Sequence, residues 1–216
     1  MGSSISQADQ IATAQQSFLV IQREPAIKDL LESVGYTDGR LESDKASCDA
    51  AAQAIEQQDA ARMDQIKASE KVTQLRAEAE AKYSALATTV RAVFPADKAL
   101  HEKLGLRGTP SQQRTQSGFL RKARALYDGV LHQPDLLPPL AEAGYGGERL
   151  AGERAALDVL QQADADQEAA KFRAQTATAE QKQALAELRS RRSRFAKLAK
   201  LALKGNPQAL AALGLR

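Results

Sequence analysis

The sequence predicts an all-α protein built from a tandemly duplicated helical unit. Its long antiparallel helices are expected to form a four-helix-bundle-like or coiled-coil-like assembly with short capping helices. Three observations lead there. Apolar residues make up 43% of the chain, aromatics only 4%, and there is no Trp, so the apolar content is dominated by alanine and leucine. These are strong helix formers, whereas strands favour Val, Ile, Tyr and Thr. Two strings also recur at one offset. Gly35-Tyr36 with Arg40-Leu41 returns as Gly144-Tyr145 with Arg149-Leu150, and Leu104-Gly105-Leu106-Arg107 returns as Leu213-Gly214-Leu215-Arg216, both 109 positions later. Finally, Arg40 to Phe94 and Glu148 to Leu203 contain no Pro and one Gly, Gly152.

Aligning residues 8–107 with 117–216 gives 24 identities in 100 positions without a gap. Alanine inflates that count, but the end motifs do not depend on alanine. Residues 1–107 and 117–216 therefore read as two copies of one unit, and residues 108–116, polar and carrying Gly108 and Pro110, as the linker between them.

Each unit opens with an amphipathic helix, roughly Ser6 to Gln22 and Gly118 to Leu131. Pro25 and Pro134 follow, and because proline is tolerated only in the first helical turn, each marks a break and a new short helix. Gly35 and Gly144 fit the position just past a helix end, where a left-handed conformation suits glycine. The tyrosine after each is placed to pack back on the last turn.

The long breaker-free stretch comes next. A continuous helix of about 55 residues would span roughly 80 Å. Val72, Leu75, Ala79, Leu86 and Val90 keep helical spacing, as do Leu185, Leu188, Phe195, Ala199 and Ala202, whereas residues 56–71 and 165–180 are polar. A polar middle between amphipathic halves favours an antiparallel hairpin, with Ser69 or Thr178 capping the second arm, and the continuous helix stays open as the alternative because no Gly, Pro or Asn-Gly marks the turn. A short segment after Pro95, or after Asn206-Pro207, closes each unit.

Charge and composition bound the function. The net charge is +3, but residues 1–107 carry 13 basic against 16 acidic residues and residues 108–216 carry 17 against 11, so the copies differ in polarity. A single cysteine, Cys48, allows no internal disulfide and suits a reducing compartment. Met1 to Gln10 lacks a basic start followed by an apolar run, and no apolar stretch reaches the 18 or so residues of a membrane span. These features lead to the expectation of a cytoplasmic protein.

Catalytic and cofactor patterns are not found. The two histidines, His101 and His132, lie in no Glu-x-x-His motif, so the di-iron arrangement of helical bundles is not expected. Cys48 lies in an alanine-rich helical stretch and reads as a small buried side chain rather than an activated nucleophile. Gly144-Tyr-Gly-Gly147 lacks the spacing of a phosphate loop. Arg40 with Asp44, Arg149 with Glu153, and Gln74 with Glu78 stand four apart and read as ordinary pairs along solvated helix faces.

One local feature carries a function. Arg189, Arg191, Arg192, Arg194, Lys197, Lys200 and Lys204 form a basic run, and most of it lies opposite Leu188, Phe195, Ala199 and Ala202 on a helical wheel. Such a face can meet an acidic protein surface, nucleic acid or an anionic membrane. With no aromatic or motif beside it, the favoured expectation is a non-enzymatic structural, scaffold or protein-interaction protein, self-associating and without a cofactor. Nucleic-acid or anionic-membrane binding is the alternative.

Overall fold

The computed structural model describes residues 6–106 and 115–215, and among them every regular element is helical. In chain order these are α1 (Gln7–Arg23), α2 (Pro25–Ser33), α3 (Asp38–Val93), α4 (Lys98–Lys103), α5 (Gln116–Leu131), a 3-10 turn (Pro134–Leu136), α6 (Leu137–Glu142), α7 (Gly147–Ala202) and α8 (Pro207–Ala212). The expected linker lies outside the described residues except for Thr115 and Gln116. Thr115 caps α5, its Oγ1 accepting from Gly118 N at 3.1 Å.

The long segments are not hairpins. Each of α3 and α7 runs for 56 residues without a break. Ser69 and Thr178, the expected turn caps, point back along their own helices, with Ser69 Oγ donating to Gln65 O at 2.9 Å and Thr178 Oγ1 to Ala174 O at 2.7 Å. A hydroxyl satisfied four residues back leaves the helix intact. The polar middle is also rich in Ala, Gln, Glu and Lys, which favour helix whether or not they are buried. The buried positions of α7 there are Ala163, Ala170, Ala174 and Ala177, a small-residue seam at heptad spacing. Large apolar side chains are therefore not needed for α3 and α7 to pack together.

The chain divides into two compact units that cut across the sequence halves: unit 1 is Met1–Met63 with Phe172–Arg216, and unit 2 is Asp64–Lys171. Unit 1 is made of α1, α2, the first part of α3, the last part of α7, and α8. Its core holds Ile21, Leu31, Cys48, Phe195, Leu203 and Leu213. Here α3 and α7 run in opposite directions, since Tyr36 meets Phe195 as a tilted ring pair with centroids 5.1 Å apart while Asp44, farther along, meets the earlier Arg191. Ser17, buried, lies 2.8 Å from the carbonyls of both Thr13 and Leu213 and ties α1 to the C-terminal turn.

Unit 2 holds the rest of α3, α4, α5, α6 and the first part of α7 around Leu86, Leu104, Phe119, Tyr127, Leu140 and Leu160. Phe119 meets Tyr83 edge to face at 5.9 Å. Gln167 on α7 donates to Ser69 on α3 at 3.0 Å, a polar contact within the alanine seam.

The expected glycine stops are present. Gly35 and Gly144 have φ of +83° and +85°. Tyr36 N donates to Leu31 O at 3.0 Å and Gly35 N to Glu32 O at 2.8 Å, while Tyr145 and Gly144 repeat both bonds on Leu140 and Ala141. This pair of bonds satisfies carbonyls that a helix end otherwise leaves open. Tyr36 and Tyr145 are both buried as a result.

Candidate functional site

Among the described residues no group of His, Cys, Asp and Glu is arranged to hold a metal ion, and no helix is long and apolar enough to cross a membrane. Cys48 is buried, its Sγ 3.8 Å from Ile11 O, and burial pushes its thiol upward, away from the reactive thiolate. A groove of about 620 Å³ lies in unit 1, where the start of α3 faces the last part of α7.

Its floor is apolar. Tyr36, held by the α2 stop, and Phe195 and Leu198 of α7 line it. Its depth is polar and fully paired. Asp44 accepts from Tyr36 Oη at 3.0 Å and from Arg191 at 3.2 Å, and Arg191 also donates to Ser43 Oγ at 2.8 Å and Glu187 at 2.9 Å. Burial, reinforced by the Asp44 charge, pushes the Tyr36 phenol far above its ordinary value, so it remains a neutral donor. Bonds to Glu187 and Asp44 raise the Arg191 guanidinium in turn. The rim carries Arg40, Arg194 and Lys197, all exposed.

The basic run is thus divided by its surroundings. Arg189 donates to Gln10 Oε1 at 3.0 Å, and Arg192 donates to Gln10 O at 3.0 Å with its guanidinium lowered by burial. Arg191 is held by two carboxylates. Arg194 and Lys197 face the groove, and Lys200 is exposed outside its lining. No protein-family model, curated protein or solved structure matches the chain.

Two of the pairs read as solvated turn inward. Asp44 bonds to Tyr36 and Arg191, and Glu153 in unit 2 is buried, accepting from Tyr127 Oη at 2.8 Å and Arg149 Nε at 2.9 Å. Sequence spacing found the Arg149–Glu153 pair but not its burial, because a residue 26 positions earlier supplies the covering tyrosine. Gln74 and Glu78 do pair along an exposed face, at 2.9 Å.

The two units differ where the offset aligns them. In unit 2, Arg154 bridges Asp128 at 2.7 Å and Asp158 at 2.9 Å, and Arg124 reaches Asp158 at 2.6 Å, so α5 is clasped to α7. The bond from Arg154, with Arg124 behind it, holds the Asp158 carboxyl below its usual range. The positions 109 earlier are Gln15, Leu19, Lys45 and Asp49. There unit 1 has a cleft of about 320 Å³ between α1 and α3, with Leu19 half exposed at its edge. The rim cations likewise have no counterpart, since Ala85 and Thr88 stand at the places of Arg194 and Lys197.

Proposed function

We propose that this chain is a non-enzymatic helical scaffold that binds a protein partner through the unit 1 groove, and that it arose by duplication of one helical unit. The observation that carries the reading is the groove itself: an apolar floor of Tyr36, Phe195 and Leu198 between the cationic rim of Arg40, Arg194 and Lys197. An apolar centre with a charged edge is how a protein surface recognises another. Duplication is supported by the shared order of elements and by the matching helix stops at Gly35 with Gly144 and Gly105 with Gly214. Each compact unit then combines parts of both copies, and unit 2 carries a clasp of ion pairs where unit 1 has open, basic concave surface. A cytoplasmic location agrees with the single reduced cysteine.

The rival is a phosphate-binding face for nucleic acid or anionic membrane. It is weakened because Arg191 is paired with Asp44 and Glu187 and Arg192 is drawn inward onto the Gln10 carbonyl, and such binding scales with the number of cations free to replace counterions.

The test is a photo-crosslinking residue at position 198, compared with one at the exposed Val159 of unit 2. We expect an adduct to one identifiable polypeptide from position 198 only, lost in the triple variant Arg40→Glu, Arg194→Glu, Lys197→Glu. Binding to duplex DNA, RNA or phosphatidylserine vesicles at physiological salt, lost in that same variant, would overturn the reading.

A further inference from the structure

The groove differs from the matching positions of unit 2, and every difference in charge runs the same way. Gly39, Arg194 and Lys197 line the groove, and the residues at the offset of 109 are Glu148, Ala85 and Thr88. Unit 1 thus has one acid fewer and two cations more. Arg40, Arg191, Arg194 and Lys197 stand there against the single carboxylate of Asp44, which leaves the lining a net charge of +3.

Arg40 shows how that charge is left open. Its counterpart Arg149 is held inside unit 2: Nε donates to Glu153 at 2.9 Å, Nη1 donates to Gly144 O at 3.0 Å, and the guanidinium lies 4.0 Å from the centre of the Tyr145 ring. In unit 1 the acid four residues on, Asp44, accepts instead from Tyr36 Oη and from Arg191 of α7. Among the described residues Arg40 then has no hydrogen bond or ion pair, and neither do Arg194 and Lys197. Unpaired cations stand on both walls, Arg40 on α3 and the other two on α7, with the apolar floor between them.

We propose that the occupant of the unit 1 groove is an acidic segment of another polypeptide, in which aspartates or glutamates stand on both sides of one large apolar residue. The apolar side chain rests on the floor at Phe195 and Leu198, while the carboxylates meet Arg40 on one wall and Arg194 with Lys197 on the other. A groove of about 620 Å³ has the size that takes a drug-sized ligand, so it receives a few residues of a partner rather than a whole face. This inference rests on the groove being a protein-binding surface, and it fails separately from that reading.

The test is selection of phage-displayed random dodecapeptides on the full chain, followed by fluorescence anisotropy of the enriched peptides. The wild type is expected to enrich sequences with acids on both sides of one apolar residue, and their binding should weaken as salt is raised. Replacing those acids by their amides, or the apolar residue by Ser, should weaken binding at least about tenfold, as should the variant Arg40→Gln, Arg194→Gln, Lys197→Gln. All three positions are exposed, so helicity should not change. Gly39→Glu gives the wall the acid that unit 2 has. A Cβ at Gly39 meets only Thr37 Oγ1, at 4.0 Å, and glutamate favours helix over glycine, so this variant should fold at least as stably while binding about tenfold less. No enrichment over the triple variant, enriched peptides without acids, or binding untouched by Gly39→Glu would each overturn the proposal. Acid-free peptides together with a polypeptide adduct at position 198 would leave the broader reading standing and remove this one.

Discussion

Gly214 provides the sharpest test of the helix-stop reasoning. Its φ is +65°, and a Cβ there would lie 2.7 Å from Thr13 Cγ2. Gly35, at φ +83°, has nothing within 4 Å of the same added atom. Gly35→Ala therefore adds only the left-handed penalty, partly offset by a stiffer unfolded chain, for a net loss of about 1 kcal/mol. Gly214→Ala adds a steric conflict to that loss. Thr13 cannot simply rotate away, because its Oγ1 donates to Asp9 O at 2.6 Å and fixes the methyl. Overpacking of this kind costs about 1–3 kcal/mol, bringing the expected total to about 2–4 kcal/mol. Thr13→Ser keeps the hydroxyl bond and deletes the methyl, so in that background Gly214→Ala should fall back to about 1 kcal/mol. Urea unfolding followed by circular dichroism would measure the wild type and all four variants. Equal losses at Gly35 and Gly214, or no relief from Thr13→Ser, would refute the reasoning.

Other expectations concern the buried phenols and the long helices. Tyr36 and Tyr127 are both pushed upward, chiefly by burial and then by Asp44 and Glu153, so the neutral phenols favour the folded state. Their contribution is complete below the unfolded value of 10.0 and is lost as pH rises above it. Stability should then fall by up to about 1.4 kcal/mol per pH unit for each phenol. Tyr36→Phe with Tyr127→Phe should flatten that alkaline decline in a pH series of unfolding midpoints, and an unchanged slope would count against the burial. In the middle of α3, Ser69→Pro should destabilise by about 3 kcal/mol or more, with loss of helical signal. Ser69→Ala, which loses the bond from Gln167 but keeps the helix, should cost no more than about 1 kcal/mol. A harmless proline at 69 or 178 would restore the hairpin.

Much of the local structure is legible in the chain because its causes are local. Pro25 and Pro207 begin α2 and α8, while Pro134 begins the 3-10 turn before α6, since proline lacks the N–H that a first turn leaves unpaired anyway. The glycine stops are equally readable from Gly-Tyr and Gly-Leu following apolar turns. The polar middle misleads because hydrophobic periodicity reports burial by large side chains, and in α7 alanine supplies the buried positions there.

The candidate site was half legible. The basic run from Arg189 to Lys200 stands out in the sequence, but which cations face outward is set by what lies opposite them. Gln10 takes Arg189 and Arg192, Asp44 takes Arg191, and only then do Arg194 and Lys197 remain at the rim. Tyr36, Ser43 and Asp44 join them from about 150 positions earlier, a separation across which spacing carries no information.

What the sequence by itself determined is helix, its starts and its stops, because each depends on backbone conformation and on neighbours within one or two turns. Only the tertiary structure decided that the long helices run unbroken, that unit 1 combines the start of α3 with the end of α7, and that Asp44 and Glu153 turn inward. Those outcomes depend on burial against distant residues. The free energy of burying a side chain belongs to the pair of surfaces that meet, and one strand of sequence names only one of them.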